Sequence, residues 1–154
     1  MKHIEIKHYA PPIDVKEMER ILLYLDPYIV PRLSGRVNIE NYARKLATYA
    51  DIFNLEIEGK VVGNLAIYLN SEEGFLTSIA ICPEYQGLGY GRELWERAQE
   101  LAINKKITAV CLEVYTSNIS AKRFYLNRGF QIQKKENDWI RMKKILGEER
   151  ICLK

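Results

Sequence analysis

Ile79-Ala80-Ile81-Cys82-Pro83-Glu84-Tyr85-Gln86-Gly87-Leu88-Gly89-Tyr90-Gly91 is the stretch of this 154-residue chain that decides its fold. It opens with the apolar residues of a central strand and leads into a long helical pattern that places Trp95, Ala98, Leu101 and Ala102 inward. Glycines between a strand and a helix let backbone N–H groups turn inward, and the first helical turn adds partial positive charge. The stretch therefore predicts a phosphate-binding loop.

Two well-known nucleotide loops do not fit this stretch. A Walker loop continues Gly-Lys-Ser/Thr, whereas Arg92 follows Gly91 here. The dinucleotide fingerprint needs a third glycine at position 92, and no acid ends a strand about twenty residues further on. Taken alone, the three glycines also suit a tight turn that binds nothing.

The composition is that of one ordinary globular domain. A chain of 154 residues buries roughly 70% of its unfolded surface, and 47% hydrophobic with 28% charged residues excludes collagen and low-complexity disorder. The net charge of +3 is too small to indicate a nucleic-acid partner. No apolar run is long enough to span a membrane, and residues 1–6 begin like a strand and not like a signal peptide. We expect a cytoplasmic protein without a membrane partner.

The cysteines and histidines do not form a metal-binding pattern. Cys82, Cys111 and Cys152 lack C-x-x-C spacing, and the first two lie in apolar runs, so we expect reduced thiols and neither a disulfide framework nor a zinc site. His3 and His8 fall five apart in a predicted strand without clustered acids or thiols. No metal is expected.

Periodicity predicts the element order β, α, α, β, β, β, α, β, α, β, β, a single α/β domain with a mixed sheet over residues 1–146 and a tail over 147–154. Asp14 and Glu17 have capping-box spacing before the first helix, and Asn38 caps the second. From residue 51 the period drops to two, with apolar residues alternating with polar ones. A turn at residues 59–60 then makes a hairpin.

Two stretches resemble one enzyme family. Residues 79–91 resemble the acetyl-CoA motif of the GNAT-type N-acetyltransferases, in which Gln or Arg, two residues, Gly, one residue and Gly or Ala follow one another; Gln86, Gly89 and Gly91 match. Residues 118–130 resemble the second signature of the family, with Asn, Ala, Tyr and Gly-Phe in place. The resemblance implies a GNAT-like fold, a mostly antiparallel central sheet of six to seven strands flanked by about four helices.

The resemblance also implies acetyl-CoA as co-substrate. The amides of residues 87–92 would hold the pyrophosphate, and the backbone of residues 79–81 would pair with pantetheine and supply an oxyanion donor. Asn118 resembles the pantetheine-contacting Asn of the family and is equally suited to a plain N-cap. The full set of implied binding residues is Ile79, Ala80, Ile81, Gln86, Gly87, Leu88, Gly89, Tyr90, Gly91, Arg92, Asn118 and Tyr125.

Tyr125 and Glu113 are the candidate catalytic residues. Tyr125 resembles the general acid of the family; because a thiol near pKa 8.5 is a fair leaving group and a phenol near 10 is a weaker acid, we expect hydrogen bonding to the sulfur at least as much as proton donation. Its alternative is a core aromatic residue. The base of the histone-acetylating branch is replaced by Phe75. Glu113 has the spacing of the base in the branch that acetylates ribosomal-protein N-termini, and it also suits a solvated strand position.

The acceptor in this fold usually enters over the connection between the first two helices, here residues 26–37. Arg32 and Arg36 are candidates to bind a carboxylate or phosphate, and Tyr28 or Tyr42 to line a sugar or peptide, although charges in a loop are often merely solvated. Exposed strand edges near the C-terminus are compatible with a homodimer.

Three functions follow from the resemblance. The first is transfer of an acetyl group from acetyl-CoA, by direct attack in a ternary complex, to a primary amine of a small molecule such as an amino sugar or amino-acid derivative. The second is acetylation of protein N-termini. The third is a non-catalytic acyl-CoA-binding regulatory module, against which the retention of both Asn118 and Tyr125 argues. The acceptor, the length of the acyl group and the base stay open.

Overall fold

The computed structural model describes residues 2–147, so the predicted tail lies outside the described residues apart from Gly147. The element order is as predicted. The strands are β1 (Ile4–Tyr9), β2 (Ala50–Ile57), β3 (Lys60–Tyr68), β4 (Glu73–Ile81), β5 (Ala109–Tyr115), β6 (Gln131–Lys135) and β7 (Trp139–Ile145). The helices are α1 (Val15–Leu25), α2 (Ile39–Tyr49), α3 (Tyr90–Asn104) and α4 (Ile119–Asn127), with short 3₁₀ turns at Asp26–Tyr28, Leu33–Gly35 and Pro83–Tyr85.

The strands form one seven-stranded sheet in the order β1-β2-β3-β4-β5-β7-β6. Neighbouring strands are antiparallel except for β4 and β5, which run parallel. The predicted mixed α/β architecture is confirmed. The exposed edge near the C-terminus is β6, and the homodimer stays a prediction.

The parallel pair is short, and this decides the shape of the molecule. β4 and β5 pair only over three positions, Glu73 to Phe75 against Ala109 to Cys111. Residues 76–81 of β4 and 112–115 of β5 lie beyond the last pair, and no other described strand fills the space between them. We call this opening the strand split. It leaves one edge of β4 without strand partners, whereas the other edge stays paired with β3.

Helices pack on both faces of the sheet. On the α1/α2 face, apolar residues of both helices pack against small and branched residues of β2, β3 and β4. On the α3/α4 face, Trp95 of α3 and Tyr125 of α4 belong to a second cluster with alternate residues of β5 and β7. Cys82 and Cys111 are buried, as their apolar runs predict. Cys152 lies outside the described residues.

β2 is more buried than its sequence pattern suggests. Alternation of apolar and polar residues is typical of a half-exposed strand, yet all of β2 is buried. The strand lies inside the sheet between β1 and β3, so its polar side chains find partners within the protein. Asp51 Oδ1 is hydrogen-bonded to His8 Nε2 at 2.7 Å. Asn54 Oδ1 accepts from Asn64 Nδ2 at 2.7 Å, and Glu56 Oε2 accepts from the Tyr9 hydroxyl at 2.8 Å.

Two local expectations need correction. Asp14 caps α1, but its carboxylate accepts from Lys16 N at 3.1 Å, and Glu17 pairs with Arg20 one turn on, so the capping box does not form. The β2–β3 turn is centred on Glu58 and Gly59, with φ of 51° and 77°, one residue earlier than predicted. Lys60 already begins β3. Asn38 caps α2 as predicted, accepting from Asn41 N at 2.9 Å.

Candidate active site

The glycine-rich loop joins the end of β4 to α3. Gly87 and Gly89 have φ of 75° and 89°, a left-handed conformation that glycine adopts without steric cost. Gly89 is the N-cap residue of α3 and has no side chain to cap the helix. The first backbone hydrogen bond of α3 is donated by Glu93 N to Gly89 O at 3.1 Å. The amides of residues 90–92 make no backbone hydrogen bond within the described chain. Unbonded amides at a helix N-terminus suit an anion, so the predicted cradle is compatible with this geometry and stays a prediction.

Three sequence segments meet beside this cradle. A Cβ placed on Gly91 would lie 3.4 Å from Phe124 Cε1 and 3.6 Å from Ile81 Cδ1. The end of β4, the start of α3 and the second family-like segment are therefore in contact. Gln86 fixes the junction, because its Nε2 donates to Ile81 O at 2.8 Å.

Tyr125 lies in an aromatic cluster on the α3/α4 face. Its ring meets Phe124 and Phe130 edge-on, at centroid distances of 5.4 and 5.6 Å. The residue is 8% exposed, and burial raises the pKa of its hydroxyl above the usual range. That hydroxyl makes no hydrogen bond with any residue from 2 to 147, so it is available to a ligand.

Asn118 is the N-cap residue of α4 and joins that helix to the α1–α2 connection. Its Oδ1 accepts from Ala121 N at 3.1 Å, and its Nδ2 donates to Val30 O at 3.2 Å. The N-cap role is confirmed. The contact with Val30 brings the connection of residues 26–38 next to the second family-like segment.

A bulge in β4 marks the α1/α2 face of the strand split. Ala66 pairs with Ser78 and Ile67 with Leu76, so Thr77 is the extra residue of the bulge. The Tyr42 hydroxyl makes a short hydrogen bond with Thr77 Oγ1. Nearby, Tyr68 has a buried hydroxyl without a hydrogen-bond partner, and burial raises the pKa of Tyr68 to about 12.

Glu113 lies on the same face, on β5. Its neighbours Leu112 and Val114 point into the α3/α4 cluster, so strand alternation directs Glu113 and Tyr115 to the α1/α2 side. The side chain of Glu113 is 47% exposed and accepts from Arg141 Nη1 at 3.3 Å. Glu113 is thus a half-exposed carboxylate beside the strand split.

The three residues proposed to contact the acceptor have different surroundings. Arg36 places its guanidinium carbon 5.0 Å from the centroid of the Tyr115 ring, at the end of β5. Arg32 is exposed, and its charge acts on Asp26. Tyr28 is 38% exposed and makes no hydrogen bond or ring contact with residues 2–147. The structure therefore brings Arg36 to the strand split and leaves Tyr28 and Arg32 without a contact to it.

The connection that carries these residues is braced by Asp26. This carboxylate is 8% exposed and accepts from Ser34 N and Ser34 Oγ, each at 2.8 Å. Burial alone would raise the pKa of Asp26, but the two bonds from Ser34 and the Arg32 charge outweigh it and hold that pKa below its usual range.

Comparison with known proteins agrees with this geometry. The model of the acetyltransferase (GNAT) family matches residues 18–130, which include both motif segments. The chain belongs to the GNAT family. Its seven-stranded sheet, with four helices and one short parallel pair, is a GNAT fold.

Individual relatives of this GNAT protein are informative about fold more than about substrate. It is 35% identical over 83 residues to a putative [ribosomal protein bS18]-alanine N-acetyltransferase of Bacillus subtilis, a match over 54% of this chain and 55% of the relative. The match thus spans about half the length of each protein. The ribosomal-protein-S18-alanine N-acetyltransferase of Escherichia coli shares the fold with a TM-score of 0.76 at 20% identity, covering 95% of this chain and 94% of that one. PaiA N-acetyltransferase of Thermoplasma acidophilum, solved in complex with coenzyme A, gives 0.73 at 17% identity, covering 93% and 99%.

The residues of this GNAT protein fit coenzyme A. A Cβ on Gly87 would meet nothing within 4 Å, so the loop is open on that side. The unbonded amides of residues 90–92 suit a pyrophosphate, and the unpaired edge of β4 suits an amide-containing arm that adds to the sheet like a strand.

The structure adds residues to the site that the sequence did not single out. Thr77, Tyr115 and Arg141 all face the α1/α2 side of the strand split. Tyr115 follows Glu113 by two residues on β5, so both side chains point to the same face. The sequence alone could therefore have placed Tyr115 near Glu113. The positions of Thr77 and Arg141 at the strand split depend on the register between neighbouring strands, which the local sequence does not encode.

Two further findings concern the described residues as a whole. Within residues 2–147, no helix has both the length and the apolar character needed to cross a membrane. Over the same range, no three His, Cys, Asp or Glu side chains cluster in a way that suits a metal ion.

Proposed function

We propose that this protein is an N-acetyltransferase that uses acetyl-CoA to acetylate a primary amine. The observation that carries the proposal is the strand split, whose free β4 edge opens directly beside the amides of the glycine-rich loop. A donor held by both places its reactive end between β4 and β5, where groups from the two faces of the sheet can approach it.

The residues of the loop and of β4 would hold the donor. Acetyl-CoA supplies the acetyl thioester. The amides of residues 87–92 bind its pyrophosphate at the positive end of α3. The backbone of residues 79–81 pairs with its pantetheine arm, and one N–H of that edge stabilises negative charge on the thioester oxygen.

Tyr125 would stabilise the leaving thiolate. Its hydroxyl makes no hydrogen bond with residues 2–147, and burial raises its pKa. A thiol has a pKa of about 8.5, so full proton transfer from Tyr125 to the sulfur is uphill. The role that fits is donation of a hydrogen bond to the sulfur as its bond to the acetyl carbon breaks.

Glu113 is the candidate to take the proton from the acceptor ammonium. It lies on the α1/α2 face, where Arg36 of the α1–α2 connection reaches the strand split, and its half-exposed carboxylate can reach a water molecule. An α-amine with a pKa of about 8 needs less help than a lysine at about 10.4. A water chain alone is therefore the competing route for α-amines.

A small amine, such as an amino sugar or amino-acid derivative, and a protein N-terminus are both candidate acceptors. The second is favoured by the spacing of Glu113 and Tyr125 and by the name of the Bacillus relative, a ribosomal-protein alanine acetyltransferase. A non-catalytic acyl-CoA-binding module does not explain the Tyr125 hydroxyl, which makes no hydrogen bond within residues 2–147.

Thiol release from acetyl-CoA tests the proposal. The panel contains amino sugars, amino acids, polyamines and short peptides with free N-termini, and calorimetry measures CoA binding on the same sample. Release with one acceptor class supports the activity and names the acceptor. CoA binding without release across the whole panel contradicts the enzymatic function and favours the module.

A further inference from the structure

Arg36 occupies a specific position over the strand split. Its guanidinium stacks on Tyr115 at the end of β5, and its Nε donates to Pro31 O at 3.3 Å. Its charge also reaches Tyr42: burial raises the pKa of that phenol, and Arg36 partly offsets the rise. Tyr42 in turn bonds the bulge of β4 at Thr77. One cation therefore lies close to both strands where they separate.

The backbone that carries Arg36 is held in place before any ligand binds. Asp26 fixes Ser34 through two hydrogen bonds of 2.8 Å, and Val37 N donates to Leu33 O at 3.1 Å. Asn118 holds Val30 O from the side of α4. A cation fixed in this way loses little conformational freedom when it binds an anion.

Arg36 has no carboxylate partner in the described chain. Glu113, the acid on the same face, pairs with Arg141 at 3.3 Å, and Asp26 is satisfied by Ser34. Both Nη groups of Arg36 make no hydrogen bond within residues 2–147. A guanidinium stacked on an aromatic ring with open Nη groups is suited to bind a planar carboxylate through two hydrogen bonds.

We propose that the acceptor is an amine that also carries a carboxylate, and that Arg36 binds this carboxylate at the strand split. The inference rests on the proposed function and narrows its acceptor. A phosphate is a poorer match, because the two β7 cations of this face are engaged, Arg141 with Glu113 and Lys143 with Glu73 at 2.8 Å, and Arg32 does not contact the strand split. The carboxylate belongs either to a free amino acid or to an acidic side chain near a peptide N-terminus.

Matched acceptors that differ by one charge test the proposal. The first pair is alanine against alaninamide, with phenylalanine against phenylalaninamide as a repeat. The second pair is the peptide amides Ala-Glu-Ala and Ala-Gln-Ala. We expect at least tenfold higher kcat/KM for the carboxylate member of one pair, and the pair that shows it identifies the source. The amine of an amino-acid amide is less basic than that of the free amino acid, so at neutral pH a larger fraction of it is in the neutral form that attacks the thioester. A preference for the free amino acid therefore runs against intrinsic reactivity.

Variants assign the preference to Arg36. Arg36→Ala is expected to raise the KM of the preferred carboxylate acceptor at least tenfold with kcat within twofold, and to leave the neutral acceptor unchanged. Arg36→Lys recovers part of the loss, because it keeps the charge without the planar fork. Arg44→Ala, which removes an exposed α2 cation that pairs with Glu40, is the control for net charge.

Binding of the same compounds to the CoA-loaded protein, measured by calorimetry, separates the two proposals. Preferential binding of the carboxylate member without thiol release supports the Arg36 site and contradicts the enzymatic function. Release without any preference for the carboxylate, or an equal effect of Arg36→Ala on both members of a pair, overturns the inference. If neither thiol release nor preferential binding is observed, both proposals are overturned.

Discussion

Arg36 and Tyr115 come from distant parts of the sequence, and the guanidinium carbon of one lies 5.0 Å from the ring centroid of the other. This contact joins the connection between α1 and α2 to the end of β5, at the point where β5 has parted from β4. It fixes a cation over an aromatic ring at the place where we propose that the acceptor binds.

Removing the Tyr125 hydroxyl separates binding from turnover. We expect Tyr125→Phe to lower kcat by tenfold or more and to leave the Kd for CoA within twofold, because the hydroxyl acts on the leaving sulfur. Stability should change little, since no described residue bonds this hydroxyl. Tyr49→Phe, at a position 52% exposed in the last turn of α2, is the control. Unchanged turnover in Tyr125→Phe would remove Tyr125 from the mechanism.

The raised pKa of Tyr125 predicts a pH profile. A phenol whose pKa lies above the usual value of about 10 stays protonated over the range of ordinary assays. We therefore expect kcat to rise or stay level from pH 7 to about 9.5 as the acceptor amine loses its proton. A fall of kcat within this range, absent in Tyr125→Phe, would show that the hydroxyl ionises there.

Alanine substitutions at two glycines with similar backbone conformations separate the cost of backbone strain from the loss of CoA binding by the glycine-rich loop. Gly89 has a φ of 89°, and Gly59, in the β2–β3 turn away from the site, has a φ of 77°. Alanine at either position costs about 1–2 kcal/mol of unfolding free energy, because a Cβ is disfavoured in this conformation. We expect only Gly89→Ala to weaken CoA binding, by tenfold or more in calorimetry. Equal effects on CoA binding would mean that the loop is an ordinary turn.

Glu113 and Glu73 form a matched pair for the identity of the base. Both are half-exposed acids on the same face that pair with a cation of β7, Glu113 with Arg141 and Glu73 with Lys143. Only Glu113 lies beside the strand split, since Glu73 is where β4 and β5 still pair. We expect Glu113→Gln to lower kcat at neutral pH by tenfold or more and Glu73→Gln by less than twofold. Exposed ion pairs contribute about 0–1 kcal/mol, so neither should unfold the protein.

If Glu113→Gln keeps wild-type kcat at every pH, the water route for the proton is the correct one. If it loses activity and recovers at high pH, the base function is supported, because a deprotonated amine no longer needs a base.

Asp26 predicts a dependence of stability on pH. Its pKa is lower in the folded protein than the unfolded value of about 3.9, so its contribution is present above that pH and is lost as the pH falls through the folded pKa. Asp26→Asn should cost about 1.5–3 kcal/mol at pH 7, the range for hydrogen bonds to a charged group. Urea unfolding of both proteins from pH 7 to pH 2.5 should show the difference shrinking below about pH 4. A constant difference would mean that the charge of Asp26 contributes nothing.

Much of the fold was predictable from local sequence. Helix caps such as Asn38, the period-two pattern of β2, and the glycines at 87 and 89 each act within a few residues, so the sequence carries their signal directly. The two motif segments share positions with a family, and that resemblance extended the prediction to the whole sheet. The capping box at Glu17 failed because a neighbouring arginine on the same helix competes for its carboxylate.

By itself, the sequence determined the order of elements, the glycine-rich loop between β4 and α3, and membership of the GNAT family. Only the tertiary structure decided that β4 and β5 pair over three positions and then part, that Thr77 forms the bulge under Tyr42, and that Arg36 rather than Arg32 reaches the strand split. The physical reason is the range of the interactions. Caps, turns and periodicity arise between near neighbours in the chain, whereas strand register and the packing of a connection over a distant strand depend on which segments the folded core brings together.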